Sequence, residues 1–197
     1  MALPKSVDTA KVRAVSEAID KMTAQEIATL PGLDDEDLRL FGAISQYYCF
    51  IDLNLRRALE IMHLAKRLPV EHVAKYPNYT DALLTDVLRG SFEKMDGKID
   101  ALQEILFRLE EIGRCRAYRN LLAHFAGKRY PNEDVYVFAS KSNKDARQAL
   151  GKELSGHRLH FAVAGRSELF ELENIVKDHQ TWLANKLPEW DARYLKV

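Results

Sequence analysis

Apolar residues recur every three or four positions through the first two thirds of the chain, and after residue 131 the character changes to β-branched and aromatic runs of strand type. The pattern therefore predicts helices first and strands second. From about Asp8 to Leu30 the spacing is helical, with a break near Thr23, where Thr23-Ala24-Gln25-Glu26 fits a capping box. Pro31-Gly32 closes that unit. Asp34-Asp35-Glu36-Asp37 then sets acids at the positive end of a new helix, predicted from about Glu36 to Arg67 and stopping before Pro69. Its apolar face is Leu40, Ile44, Tyr47, Tyr48, Ile51, Leu55, Leu59 and Met62. Pro77-Asn78-Tyr79-Thr80 reads as a turn, with Thr80 at the head of a short helix to about Arg89. Gly97 precedes another long helix, about Ile99 to Phe125, with Leu102, Ile105, Leu109 and Ile112 on one side and Gly127 placed to end it.

Past Pro131-Asn132 the period changes. Val135-Tyr136-Val137-Phe138 and Leu159-His160-Phe161-Ala162-Val163 predict two antiparallel strands, joined by a polar, Lys-rich stretch from Lys141 to Gly156. Ser167 is placed to cap a last helix, about Glu168 to Leu187. The expected fold is mainly α: a helical bundle with a small appended antiparallel β-hairpin. Residues 1–197 read as one domain, with the bundle over 1–130, the hairpin over 131–165 and the C-terminal helix over 166–190.

At 197 residues the chain is long enough to bury a core without staples. Lys plus Arg equals Asp plus Glu, at 29 each, which argues against bulk coating of nucleic acid but leaves room for a local basic patch. Cys49 and Cys115 form no C-x-x-C pair and read as reduced core thiols. No apolar run reaches the roughly 20 residues needed to span a bilayer, and Met1 to Thr9 lacks the apolar stretch of a signal peptide. A cytoplasmic, membrane-free protein is expected.

The chemistry concentrates at Arg119-Asn120-Leu121-Leu122-Ala123-His124. On a helical wheel with Arg119 at zero, Arg116 falls at roughly 60°, Asn120 at roughly 100° and His124 at roughly 140°. Tyr118, Leu121, Leu122 and Phe125 fall between roughly 200° and 300°. One side should enter the core; the other presents two Arg, one Asn and one His. From Gly113 to Tyr130 there is no acid, while Arg114, Arg116, Arg119, Lys128 and Arg129 all lie there, so a local positive field is expected. Arg offers a fork matched to two phosphate oxygens, Asn can orient a neighbour, and His moves protons near neutrality. RNA brings its own nucleophile, the 2′-OH, so this set could cut a phosphodiester with no metal and no cofactor. One His and one Arg per chain are few for that task, and two copies across a homodimer would suffice.

At these residues the chain resembles the HEPN family of helical domains, whose motif is Arg, four to six residues, then His, with a polar residue commonly after the Arg. Here it is Arg119-Asn120-x-x-x-His124 at the end of a long helix, preceded by another long helix with Leu53-Asn54-Leu55-Arg56. The resemblance covers roughly residues 35 to 130. It implies a metal-independent endoribonuclease acting on RNA as a homodimer, with Arg119 and His124 catalytic and Asn120 in support. Arg116, Lys128 and Arg129 would then bind substrate. Many relatives are toxins or phage-defence effectors, so an antitoxin protein is a further expected partner. Relatives controlled by a nucleotidyltransferase often carry a Tyr two residues after the His, where this chain has Ala126. The alternative is a non-catalytic dimerisation or nucleotide- or protein-binding module, as some members are.

Elsewhere the readings are plainer. His157 falls on the opposite strand face from Arg158 and His160, so the two His do not share a metal. His63 and His72 flank a helix end, and His179 near Trp182 reads as a helix contact. Tyr47, Tyr48 and Phe50 suit a core or dimer interface better than a base-stacking platform. Asp52 and Asn54 could reach the motif if the two long helices were neighbours. Lys141, Lys144, Arg147 and Lys152 make a basic loop diluted by Asp145 and Glu153.

Overall fold

The structure is a computed structural model, and it describes residues 10–75, 78–94, 102–142, 144 and 159–194. Among them are seven helices: α1 (Ala10–Asp20), α2 (Ala24–Ala28), α3 (Asp35–Leu64), α4 (Val70–Val73), α5 (Asp81–Glu93), α6 (Leu102–His124) and α7 (Arg166–Tyr194). Strands β1 (Ala126–Arg129), β2 (Val135–Ser140) and β3 (His160–Gly165) form one antiparallel sheet in the order β1-β2-β3. The protein is mainly α. Two compact units divide it: residues 1–45 with 115–174, and residues 46–114 with 175–197, so the boundaries fall inside α3, α6 and α7.

The first unit is built on the sheet. β2 is buried on both faces, which is why its sequence is a continuous apolar run rather than an alternation. Val135 and Val137 join Val163 of β3 and Val15, Ile19, Ile27 and Leu30 from α1 and the α2 region in one core. On the other face Phe41 of α3 meets Tyr136 and Phe138, with ring centroids 5.1 and 5.6 Å apart. The predicted capping box holds: Glu26 N–H donates to Thr23 Oγ1 at 3.3 Å, and Thr23 N–H to Glu26 Oε2 at 2.7 Å. A second such box opens α3, where Asp37 N–H donates to Asp34 Oδ1 at 2.9 Å and Asp34 N–H to Asp37 Oδ2 at 3.0 Å.

The expected hairpin gains a third strand. Gly127 is not a helix cap but the second residue of β1, and α6 stops at His124. A Cβ at Gly127 would lie 3.2 Å from both Leu33 Cδ1 and Phe41 Cε2, so any side chain there would need both neighbours to give by a few tenths of an ångström. β1 pairs with β2 from Ala126↔Ala139 to Arg129↔Tyr136, and Asn132 takes a left-handed φ of 60° in the turn between them. Arg129 N–H, on the outer edge of β1, donates to Pro31 O at 3.0 Å. α7 also starts earlier than expected. Ser167 does not cap it; Gly165 takes the cap position, and its N–H donates to Glu168 Oε2 at 3.2 Å.

The second unit is helical. Tyr48, Ile51, Leu55, Leu59 and Met62 of α3, Leu88 and Phe92 of α5, Ile105, Leu109 and Ile112 of α6, and Leu183 and Trp190 of α7 are buried. α3 ends in a Schellman motif: Lys66 N–H donates to His63 O at 2.9 Å and Arg67 N–H to Met62 O at 2.8 Å, with Lys66 at φ 56°. Thr80 sits at the N-cap of α5 without a side-chain cap bond, and α5 runs on to Glu93. α7 passes through Pro188 rather than ending before it. Trp190, one turn-half further, is buried against Phe92 and Trp182, which offsets the lost backbone bond. His179 is buried beside Arg108, and burial with the Arg108 charge lowers its pKa to about 4, so it is neutral at pH 7. Cys49 is exposed rather than in the core; Cys115 is buried.

Candidate functional site

The motif lies wholly in the first unit, on the last turns of α6. Tyr118, Leu121 and Phe125 are buried, as the wheel requires, and Leu122 is half-buried. Arg116, Asn120 and His124 follow one another at four-residue spacing along a single ridge. Burial falls along that ridge: Arg116 is buried at 7% exposure, Asn120 is half-buried and His124 is exposed. Arg116 is on the side of the helix that carries Ile105, Leu109 and Ile112, and it is buried as they are. Arg119 is half-buried and Nη1 donates to Asn120 Oδ1 at 3.4 Å. Among the described residues no carboxylate pairs with Arg119.

The other basic residues of this span separate. Arg129 forms a fork on Asp37, with Nε 2.6 Å from Oδ2 and Nη2 2.8 Å from Oδ1, and Nη2 also lies 2.9 Å from Asp34 Oδ2. Tyr136 OH donates to the same Asp37 carboxylate at 2.6 Å, and Arg166 Nε stands 3.8 Å away. Asp37 has no exposed surface. Burial pushes its carboxyl up, but the bonds from Arg129, Tyr136 and Asp34 outweigh that and hold it at about 2. Burial and Asp37 together push the Tyr136 hydroxyl up to about 12. Arg129 is therefore a buried carboxylate's partner, and the expected positive field is partly cancelled. Lys128, half-buried, points to the opposite sheet face from Arg129, because neighbours on a strand alternate. The two cannot grip one phosphate together. Arg114 pairs with Glu111 at 3.1 Å in the second unit.

Two clefts of the first unit flank the turn before β2. One, of about 370 Å³, is lined by Lys11, Pro31, Arg129, Tyr130 and Glu133 among others; neither is lined by Arg119, Asn120 or His124. Among the described residues no group of three or more His, Cys, Asp or Glu could hold a metal ion, and no helix is long and apolar enough to cross a membrane.

Of the remaining candidates, Tyr48 is core, Tyr47 is half-buried and Phe50 is exposed. Asp52 and Asn54 belong to the second unit, the motif to the first. His72 bonds Tyr79 through Nδ1. His160 is buried in β3, while Arg147, Lys152, His157 and Arg158 lie outside the described residues, as do Asp145 and Glu153. Sequence reasoning did not find the Tyr118–Glu168 bond, in which the Tyr118 hydroxyl donates to Glu168 Oε1. The local signal was a Tyr on the buried side of the motif helix and a Glu three residues into α7.

What this geometry defines is a class, a mainly α protein with a three-stranded sheet that follows directly on a motif-bearing helix. The chain matches no protein-family model, no curated protein and no solved structure.

Proposed function

We propose that the protein is a metal-independent endoribonuclease of HEPN type, acting in the cytoplasm as a homodimer. The observation that carries this reading is Arg119: half-buried, steadied by Asn120 and paired with no carboxylate among the described residues, it keeps its fork for a phosphate. His124 takes the proton from a ribose 2′-OH. The 2′-oxygen attacks the adjacent phosphorus, Arg119 stabilises the pentacoordinate phosphate, and the 5′-oxygen leaves with a proton given by the protonated His124 of the second copy. The products are a 2′,3′-cyclic phosphate and a 5′-hydroxyl. On one helix Arg119 and His124 stand roughly 7.5 Å apart along the axis and roughly 140° apart around it, which favours a site completed by a second copy. Lys128 remains a candidate for holding the RNA backbone. The wider reading as a toxin or phage-defence effector, with an antitoxin, rests on the motif's resemblance alone.

The alternative, a non-catalytic module that dimerises or binds a nucleotide or protein, is favoured by one finding. Of three basic residues expected to bind substrate, Arg116 is buried and Arg129 is held by Asp37. Cleavage of RNA in excess EDTA separates the two. The nuclease reading expects wild-type protein to leave 2′,3′-cyclic ends, and an Arg119→Ala/His124→Ala protein to be folded but inactive. No cleavage of total RNA by a folded dimer supports the module.

A further inference from the structure

Six residues of motif are bracketed by part-buried polar contacts. Just before Arg119, the Tyr118 hydroxyl donates to Glu168 Oε1, while Glu168 Oε2 accepts Gly165 N–H at 3.2 Å. One carboxylate thus joins the motif helix to the end of β3 and the first turn of α7. Just after His124, Phe125 is buried, Gly127 is wedged beneath Leu33 and Phe41, and Arg129 is forked on Asp37. The two anchors differ in what they fix. The Asp37 fork holds the strand beyond the motif. The Tyr118 bond holds the helix itself, one residue from Arg119 and about 100° round the wheel from it.

A helix end held only by Leu121 and Phe125 could rotate slightly about its axis, because apolar contacts are non-directional. A hydrogen bond from a ring carried on the same turn sets that rotation. Rotation is the coordinate that matters here, since it swings the Arg119 guanidinium sideways while leaving the chain path unchanged.

We propose that Tyr118 and Glu168 are positioning residues, which orient the Arg119–Asn120 pair for phosphate. Neither touches substrate. The proposal rests, for its catalytic consequence, on the nuclease reading above; its structural content stands apart from it. Glu168 is part-buried, and burial raises its pKa, while burial and Glu168 raise that of Tyr118, in keeping with a proton that stays on the phenol. A misplacement of about 1 Å at a distant residue can cost about a hundredfold in rate. A loss of about tenfold to a hundredfold in kcat is expected for Tyr118→Phe, with KM and the pH profile unchanged.

The test compares Tyr118→Phe, Glu168→Gln and Tyr136→Phe in the whole protein. It reads kcat per folded molecule on a fixed RNA oligonucleotide, together with the Arg119 Nε–Hε signal by NMR. Tyr136→Phe removes a buried hydroxyl of the same unit from the other anchor, so it reports a merely structural effect: lower stability, but the Arg119 signal and kcat kept. Glu168→Gln can still accept from the Tyr118 hydroxyl, though not from Gly165 N–H as well, and should keep more of the rate than Tyr118→Phe. Support is a displaced or broadened Arg119 signal in Tyr118→Phe, but not in Tyr136→Phe, with the fall in kcat. An Arg119 signal unmoved by Tyr118→Phe overturns the positioning role whatever the RNA does. If wild type fails to cut RNA while the Arg119 signal still moves, the nuclease reading falls and the positioning stands.

Discussion

Asp37→Asn is the most demanding perturbation the fold offers. The wild-type carboxylate accepts two bonds from Arg129, one from Tyr136 and one from its own helix start at Asp34 N–H, in a place with no exposed surface. Asparagine keeps the shape but replaces one acceptor oxygen by a donor, which then faces N–H groups. It also removes the charge that balances Arg129. Breaking a buried pair from one side typically costs about 3–5 kcal/mol. The lower end applies here, because Asp34 still stands 2.9 Å from Arg129 and the guanidinium is partly exposed. About 3 kcal/mol would remove a large share of the roughly 5–15 kcal/mol that holds a domain together. The pH dependence gives an independent estimate. With the folded carboxyl at about 2 and its ordinary value at 3.8, ionisation of Asp37 favours the fold by about 2 kcal/mol. That stability is fully present above about pH 4 and drains away as pH falls through the folded value, since the unfolded state takes up its proton first. Urea unfolding of wild type and Asp37→Asn from pH 7 to pH 2.5 measures both. The gap should be near 3 kcal/mol at neutral pH and should narrow below pH 4. A gap under about 1 kcal/mol, or one flat with pH, would refute the reasoning.

Two further substitutions probe the backbone. Lys66→Gly should stabilise the protein: a left-handed residue with a side chain costs about 1–2 kcal/mol, glycine's extra freedom in the unfolded chain takes back about 0.4–1, and the balance of about 0.5–1 should raise Tm by about 2 °C in a melting scan. Gly127→Ala should destabilise by about 1–3 kcal/mol in urea, because its methyl would meet Leu33 and Phe41 at 3.2 Å; an unchanged midpoint would show that those side chains give way freely.

Features whose partners are close in sequence were legible. The Thr23 capping box, the acidic start of α3, the apolar faces of α3 and α6 and the buried side of the motif turn all follow from contacts within one or two turns. β1 was not legible, because Ala126-Gly127-Lys128-Arg129 has no β-branched or aromatic residue and its glycine reads as a helix stop. It is a strand because β2 supplies the ladder and two aromatic rings need the space above Gly127. The end of α7 was misread at Pro188 for the same kind of reason: a local breaker is overruled by the burial of Trp190. At the end of α6, the positions of Arg119, Asn120 and His124 away from the buried Tyr118, Leu121 and Phe125 could be read from spacing. The fate of Arg129 could not, since its partner is 92 residues away, whereas Arg116 lies on the stripe that the spacing of Ile105, Leu109 and Ile112 already marks.

The first unit is assembled from two stretches of chain with the second unit's residues 46–114 between them. Synthesis runs from one end, so Asp37 leaves the ribosome long before Arg129, Tyr136 and Arg166 exist to receive it. The motif turn, made before Arg129, likewise precedes the Glu168 that holds Tyr118. A nascent chain therefore carries Arg119 and His124 past the exit of the machine that made them before their setting is complete. On the proposed nuclease reading, an interval between making these groups and fixing them in place would spare the ribosome and the message still being read.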